Sequence, residues 1–149
     1  MNRLLIPLLL LLAPTAQAAT CTMGASDLVF GNYRVNSATD VDSTATVSLN
    51  CVDDGSSTAV SYSIAISGGA STNPADRAMG GGALHYNVYT DVARTTVWGD
   101  GSGGSVEVAD SIPAPGTGNA THTAHGTIPA GQAPAPGAYG DTLTITISY

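Results

Sequence analysis

Three patterns in the chain could in principle do chemistry: a histidine pair, a glycine-rich segment and two cysteines. His122 and His125 are three residues apart, a spacing that converges on a metal ion when both lie on a helix. The residues around them predict a strand, on which the two side chains face opposite sides, so we expect no metal site. His85 lies on the expected outer face of another strand, where we expect solvation rather than catalysis.

The glycine-rich segment, residues 99–104, formally contains the Gly-x-Gly-x-x-Gly pattern of dinucleotide-binding turns. That pattern binds pyrophosphate only where a strand precedes it and a helix opens on it, and no helical periodicity follows here. The chain also has no Gly-x-Ser-x-Gly elbow, and without lysine it has no P-loop. Its acidic residues lie in expected turns without the spacing of a calcium loop. We therefore expect a protein that is not an enzyme and holds no cofactor or metal.

The N-terminus has the pattern of a secretory signal peptide. Arg3 is followed by the apolar block of residues 4–14 and then by small residues that end at Ala18. The block is shorter than the roughly 20 apolar residues that a transmembrane helix needs. We predict a signal peptide over residues 1–18, export, no membrane insertion after cleavage, and a single domain over residues 19–149.

The charge of the chain restricts its partners. The full sequence has a formal net charge of −7 and contains no lysine. Loss of Arg3 with the signal peptide would leave three arginines against 11 acidic residues. Binding to a nucleic-acid backbone or to anionic lipid depends on clustered Lys and Arg. We therefore expect neither nucleic acid nor a membrane surface as a partner, whereas a basic groove on another protein would suit this chain.

Export also determines how the two cysteines are interpreted. An oxidising compartment favours a disulfide, and two thiols alone make a poor zinc site. We therefore predict a bond between Cys21 and Cys51. In the chain-entropy model, closing a loop of about 30 residues is worth roughly 3–4 kcal/mol.

Alternation of apolar and polar residues predicts short strands throughout. The clearest is the last, residues 142–149, in which Leu143, Ile145, Ile147 and Tyr149 share one face. The other predicted strands are residues 28–30, 41–51, 60–67, 84–90, 105–109 and 121–128. The last two of these are weakly apolar, so we expect them at a sheet edge. Predicted turns and loops cover residues 53–57, 70–82 and 129–137, which are rich in Gly, Pro, Asn, Asp and Ser.

Seven or so short strands and one disulfide predict an all-β fold, an antiparallel sandwich of the immunoglobulin kind. Tyr139, just before the final strand, is either the tyrosine corner of such folds or an ordinary half-buried aromatic. The sequence stops after the final strand, without a further strand to pair with it. We therefore predict that Leu143, Ile145, Ile147 and Tyr149 form an acceptor edge for a strand from another chain.

Four segments resemble, in this order, the motifs of the spore coat U domain family, which includes subunits of archaic chaperone–usher pili. They are residues 84–91, 94–101, 126–132 and 137–145. The resemblance implies an incomplete immunoglobulin-like β-sandwich that lacks its final strand. It also implies transit through the periplasm to the cell surface, with a periplasmic chaperone, an outer-membrane usher and sibling pilus subunits as partners.

The chain departs from that family pattern at its N-terminus. Polymerising subunits of this kind carry an alternating apolar extension before the first cysteine, but only Ala19 and Thr20 separate the predicted cleavage site from Cys21. We therefore expect the chain to accept a strand and not to donate one, as a terminal or tip-like subunit would. The alternative is a secreted spore coat or extracellular matrix protein of the same fold, outside any pilus.

Overall fold

The computed structural model describes residues 19–53, 55 and 58–149, so the predicted signal peptide and part of the predicted turn at residues 53–57 lie outside it. Within this range the strands are β1 Thr20–Ala25, β2 Val41–Asp53, β3 Ala59–Ile66, β4 Arg77–Met79, β5 Leu84–Tyr89, β6 Val108–Pro113, β7 Gly116–Ile128 and β8 Ile145–Ser148. One short 3-10 turn, Gly69–Ser71, accompanies them. No helix in the described part of the chain is long and apolar enough to cross a membrane.

The strands form two antiparallel sheets that enclose one apolar core. The larger sheet has the order β1-β2-β7-β5-β4, and the smaller has the order β6-β3-β8. Alternate residues of both sheets face inward, among them Leu49 of β2, Ile64 of β3 and Val88 of β5. The indole of Trp98 is fully buried between them, and its Nε1 donates to the carbonyl of Ile64 at 2.9 Å. The predicted all-β, immunoglobulin-like sandwich is confirmed.

The longest ladder of the molecule joins β2 to β7, from Val41 opposite Ile128 to Asp53 opposite Gly116. The prediction that residues 121–128 lie at an edge is wrong, because β7 sits between β2 and β5. The small residues of this segment suggest exposure, but side chains from other parts of the chain pack directly against them. A Cβ atom at Gly126, for example, would come within 2.6 Å of the Leu28 side chain. In the buried last part of β7, the low apolar content therefore reflects close packing and not exposure.

Other predicted boundaries also need correction. The first strand is β1, whereas residues 28–30 belong to no strand. The predicted loop at residues 70–82 contains β4, all three residues of which are buried. β6 begins three residues later than predicted and runs to Pro113. The remaining predicted strands coincide with β2, β3, β5 and β8, although β8 is shorter than the predicted segment.

A disulfide joins Cys21 to Cys51, which lie directly opposite each other in the ladder between β1 and β2. The two Cα atoms are 4.1 Å apart, and Cys51 is 1% exposed. Because β1 is an outer strand that pairs only with β2 among the described residues, the bond fixes its register.

Removal of this cross-link should destabilise the fold without altering its surface. We expect the double variant Cys21→Ser/Cys51→Ser to lose about 3–4 kcal/mol of unfolding free energy, because the unfolded chain regains the entropy of the open loop. Urea denaturation followed by tryptophan fluorescence measures the difference, after mass spectrometry has shown that the parent protein has no free thiol. Equal midpoints for the two proteins would contradict a stabilising role.

Candidate functional site

A groove of about 1240 Å³ opens between the two sheets, along the free side of β8. Its floor is apolar and includes Val88 and Ile128 of the larger sheet. Ile66 and Ile145 of the smaller sheet line it as well. The interior of the sandwich is therefore incompletely filled along this side, where a closed immunoglobulin-like domain would carry another strand.

β8 forms one rim of the groove. It pairs with β3 on one side, and no described strand pairs with its other side. The predicted acceptor residues Leu143, Ile145 and Ile147 are half-buried against the core, while the threonines between them are exposed. Tyr149 lies just beyond the strand and is 57% exposed. Leu143 and Ile145 thus line the groove, whereas Ile147 and Tyr149 do not, and the role of the four residues as an acceptor stays a prediction.

Residues 26–31, which follow β1, form the opposite rim. Leu28 and Phe30 lie over Gly126, while Val29 between them is 71% exposed. The Phe30 ring also contacts Tyr86 edge to face, with the ring centroids 5.9 Å apart. Within the described residues, no backbone-to-backbone hydrogen bond involves residues 27–33.

The sequence does not reveal this second rim, because the apolar run at residues 28–30 predicts a short first strand. The segment has the side-chain pattern of a strand and no strand partner among the described residues. β8 therefore offers backbone groups to an added strand, and so do residues 27–31, apart from the Val29 carbonyl, which accepts a hydrogen bond from the Ser43 hydroxyl at 2.7 Å.

Asp141 is one of the residues that line the groove, and its carboxylate is fully engaged in hydrogen bonds. Its Oδ1 accepts hydrogen bonds from the backbone N–H groups of Ala70 at 3.0 Å and Thr142 at 2.8 Å. Its Oδ2 accepts from the hydroxyl of Tyr86 at 2.8 Å. Burial and this hydrogen bond raise the pKa of Tyr86 well above its usual range, so the hydroxyl remains a donor. Asp141 therefore anchors the segment leading into β8 to β5 and to the 3-10 turn.

Tyr139 also lines the groove, close to Asp141 in the sequence. Its hydroxyl donates to the carbonyl of Ala135 at 2.6 Å, four residues upstream. Its ring lies against Gly80, where an added Cβ would be 2.7 Å from a ring carbon. A tyrosine hydroxyl bonded back to the chain just before this strand is the arrangement of a tyrosine corner. The hydroxyl bond favours the corner among the two alternatives left open by the sequence, and the ring is half-buried as well.

Next to the groove lies Arg77, a buried cation that sequence analysis did not single out. Its side chain is 0% exposed, and burial lowers its pKa. All five of its N–H groups nevertheless donate hydrogen bonds. The acceptors are the carbonyls of Ile66, Ser67, Pro74 and Trp98 and the side-chain oxygen of Asn87, at 2.7 to 3.0 Å. Arg77 therefore ties the end of β3 to β4, β5 and the segment at Trp98.

The three histidines do not lie together, and two of them contact a tyrosine or an aspartate side chain. His122 faces the core, where its Nε2 lies 2.7 Å from the hydroxyl of Tyr62, and His125 points to the opposite side of β7, as predicted. His85 is exposed and its Nδ1 lies 2.8 Å from a carboxylate oxygen of Asp76. Among the described residues, no group of three His, Cys, Asp or Glu side chains could hold a metal ion.

The glycine-rich segment at residues 99–104 is a turn. Asp100 Oδ1 accepts hydrogen bonds from the hydroxyl and the backbone N–H of Ser102, and these bonds lower the pKa of Asp100. Val106 then pairs in a bridge with Trp98, and β6 follows in place of a helix. The segment therefore lacks the strand–turn–helix context of a dinucleotide site.

The fold and the groove together define an immunoglobulin-like β-sandwich that is open along one edge. The model of the Spore Coat Protein U domain family matches residues 8–146, so the chain belongs to this family. The resemblance carried by the four sequence motifs is thereby confirmed.

Among solved structures, the chain is similar to one described as the CsuC–CsuE chaperone–tip adhesion subunit pre-assembly complex from archaic chaperone–usher Csu pili of Acinetobacter baumannii. The TM-score is 0.58 and the sequence identity is 22%. The similarity covers 89% of this chain and 40% of that chain, so this chain spans less than half of the length of the one it matches. No curated protein sequence matches it significantly.

Proposed function

We propose that this protein is a structural subunit of a chaperone–usher surface fibre, and that its groove accepts a β-strand from another protein. The observation that carries the proposal is an apolar groove between β8, whose second side pairs with no described strand, and residues 27–31, which make no backbone-to-backbone hydrogen bond in the described part of the chain. An inserted strand could pair with both rims and place alternate side chains on the floor. Membership of the family and the likeness to a chaperone–subunit complex support this function.

The proposed partners share this one groove. A periplasmic chaperone would occupy it during transit, and the extension of a sibling subunit would replace the chaperone strand at an outer-membrane usher. The formal net charge of −7 favours partners with a basic surface around the inserted strand. The route implies export, passage through the periplasm and a final position on the cell surface.

We further propose that the chain is an acceptor and not a donor, as in a terminal or tip-like subunit. Residues Thr20–Ala25 are already paired with β2, and Cys21 is covalently tied to Cys51. A free donor arm would therefore have to precede residue 19, where the sequence predicts a signal peptide over residues 1–18. Intact-mass analysis of the exported protein tests this, with Ala19 expected as the first residue. A retained apolar extension would contradict the acceptor-only role.

A charged residue on the groove floor should abolish strand binding. We expect Ile145→Asp to weaken binding of a synthetic peptide of alternating valine and threonine by at least about 100-fold, because an inserted strand would bury the new carboxylate without a partner. Fluorescence anisotropy of the labelled peptide, added during refolding, measures the dissociation constant.

The matched control is Thr146→Asp, which adds the same charge one residue along, on the exposed face of β8. We expect it to bind the peptide like the parent chain. Failure of the parent chain to bind, or equal binding by both variants, would refute the acceptor groove and favour a coat or matrix protein outside a pilus.

A further inference from the structure

A second depression, of about 310 Å³, lies on the outer face of the larger sheet, away from the groove. Three neighbouring strands supply its polar residues in two rows that follow the strand pairing. One row is Thr22, Asn50 and Asn119, and the next is Gly24, Ser48 and Thr121. Because Leu49 and Cys51 of β2 face the core, the residues that alternate with them face outward.

One short hydrogen bond orients the two amides of this depression, and two longer ones involve its hydroxyls. The amide nitrogen of Asn50 donates to the side-chain oxygen of Asn119 at 2.7 Å, which leaves the Asn50 oxygen and the Asn119 amino group for a ligand. The hydroxyl of Ser48 donates to the carbonyl of Gly24 at 3.3 Å, and that of Thr22 to the carbonyl of Asn50 at 3.4 Å. Both hydroxyls therefore present lone pairs outward, and the depression offers donors and acceptors side by side.

This mixture restricts the chemistry of a ligand. An anion would need several donors or a cationic side chain, and a metal ion would need carboxylates. None of the residues that line the depression is ionisable, although the chain carries 11 acidic residues. Neighbouring hydroxyl groups on a neutral molecule each donate and accept, which is the complement of the arrangement found here.

Gly24 supplies independent support. Its backbone does not adopt the left-handed conformation that favours glycine, and an added Cβ would meet only the Ser48 hydroxyl, at 3.2 Å. A glycine inside a strand weakens the strand and often marks a bulge, a tight bend or a place where a ligand or another backbone approaches closely, and Gly24 pairs regularly with Ser48, without a bulge. The opening in the second row exists because this residue has no side chain. The disulfide holds Cys21 opposite Cys51, one residue from the pair Thr22 and Asn50, and so keeps the two rows in register.

We propose that this depression binds sugar units of a neutral polysaccharide, through the amide pair of Asn50 and Asn119 and the hydroxyls around Gly24. The site lies on the outer surface of the sheet, whereas the groove opens toward the core, so both can be occupied at once. Sugar binding therefore does not depend on the proposed acceptor function.

The test is an NMR titration of the uniformly ¹⁵N-labelled exported chain with cellopentaose and maltoheptaose, and with an oligogalacturonate as the charged comparison. We expect shifts of the side-chain amide signals of Asn50 and Asn119 with a neutral oligosaccharide. The variants Gly24→Thr, which fills the opening, and Asn119→Ala, which removes the free amino group, should each raise the dissociation constant at least tenfold. Thr46→Ala, in the next row of the same face and outside the depression, should leave it unchanged.

Each alternative result overturns the proposal. Absence of shifts with both neutral oligosaccharides excludes the site, and binding of the charged oligomer alone excludes the proposed ligand class. Unchanged affinity in both Gly24→Thr and Asn119→Ala would place the bound sugar elsewhere, as would an equal loss in Thr46→Ala. Should Gly24→Thr fail to fold, Asn119→Ala alone decides the result.

Discussion

A strand fused after Tyr149 through a short Asn-Gly turn should raise the unfolding free energy of the domain, by at most about 6–10 kcal/mol. The added strand, about eight residues of alternating valine and threonine, would form a hairpin with β8 and lie in the groove. Its inward residues would bury about four apolar side chains, each worth roughly 1.5–3 kcal/mol, so the sum is an upper bound. This gain rivals the whole stability of a typical domain.

Urea denaturation of the fused and parent proteins measures this gain. The matched control carries the same turn and strand with serine at the inward positions, which retains backbone pairing and removes most of the apolar burial. We expect the control to gain less than about 2 kcal/mol, since net backbone hydrogen bonding contributes little. A parent chain that is already as stable as the fused protein would show that the groove needs no strand.

Arg77→Ala should cost about 4–5 kcal/mol or more. The substitution removes the Arg77 donors from four backbone carbonyls and from the Asn87 amide oxygen, which keeps its bond from the Val88 N–H. Each buried polar group left unpaired costs about 1–3 kcal/mol, and part of this cost is relieved where water enters. Measurement in the strand-fused protein keeps the variant folded enough for an unfolding curve.

Two further substitutions separate this network from a general effect of lost charge. Arg77→Lys keeps the charge but offers three donors in a different geometry, so we expect it to recover only a minor part of the loss. Arg34→Ala removes an exposed arginine and should change stability by less than about 0.5 kcal/mol. Equal effects of Arg77→Ala and Arg34→Ala would contradict the proposed role of the network.

Alternation alone predicted the strands whose one face is apolar. Val60, Tyr62, Ile64 and Ile66 all lie buried on one side of β3, as the period of two requires. The same pattern identified the inward residues of β8, which form one rim of the groove. These predictions succeed because the alternation of apolar and polar residues in a half-buried strand shows which of its faces is buried.

The features that sequence analysis missed depend on contacts between distant segments. β7 is central although several of its inward residues are small, because Leu28 and other side chains fill the space above its glycines. Arg77 lies in a segment with the composition of a loop, and its five acceptors come from four separate parts of the chain. The second rim of the groove could not be inferred because a pattern of side chains does not reveal whether a backbone has a partner.

The long ladder between β2 and β7 also affects how fast the domain forms. Its pairs, from Asp53 with Gly116 to Val41 with Ile128, join residues far apart in the sequence, so large loops must close before the pairing contributes free energy. Domains dominated by such distant pairings fold in milliseconds to seconds, slower than those built from local contacts. During this time the apolar strands are exposed to aggregation and proteolysis. The yield of folded protein therefore depends on the rate of folding relative to the rates of aggregation and proteolysis. A partner that binds β8 early would raise the yield by shortening the time for which the apolar strands are exposed.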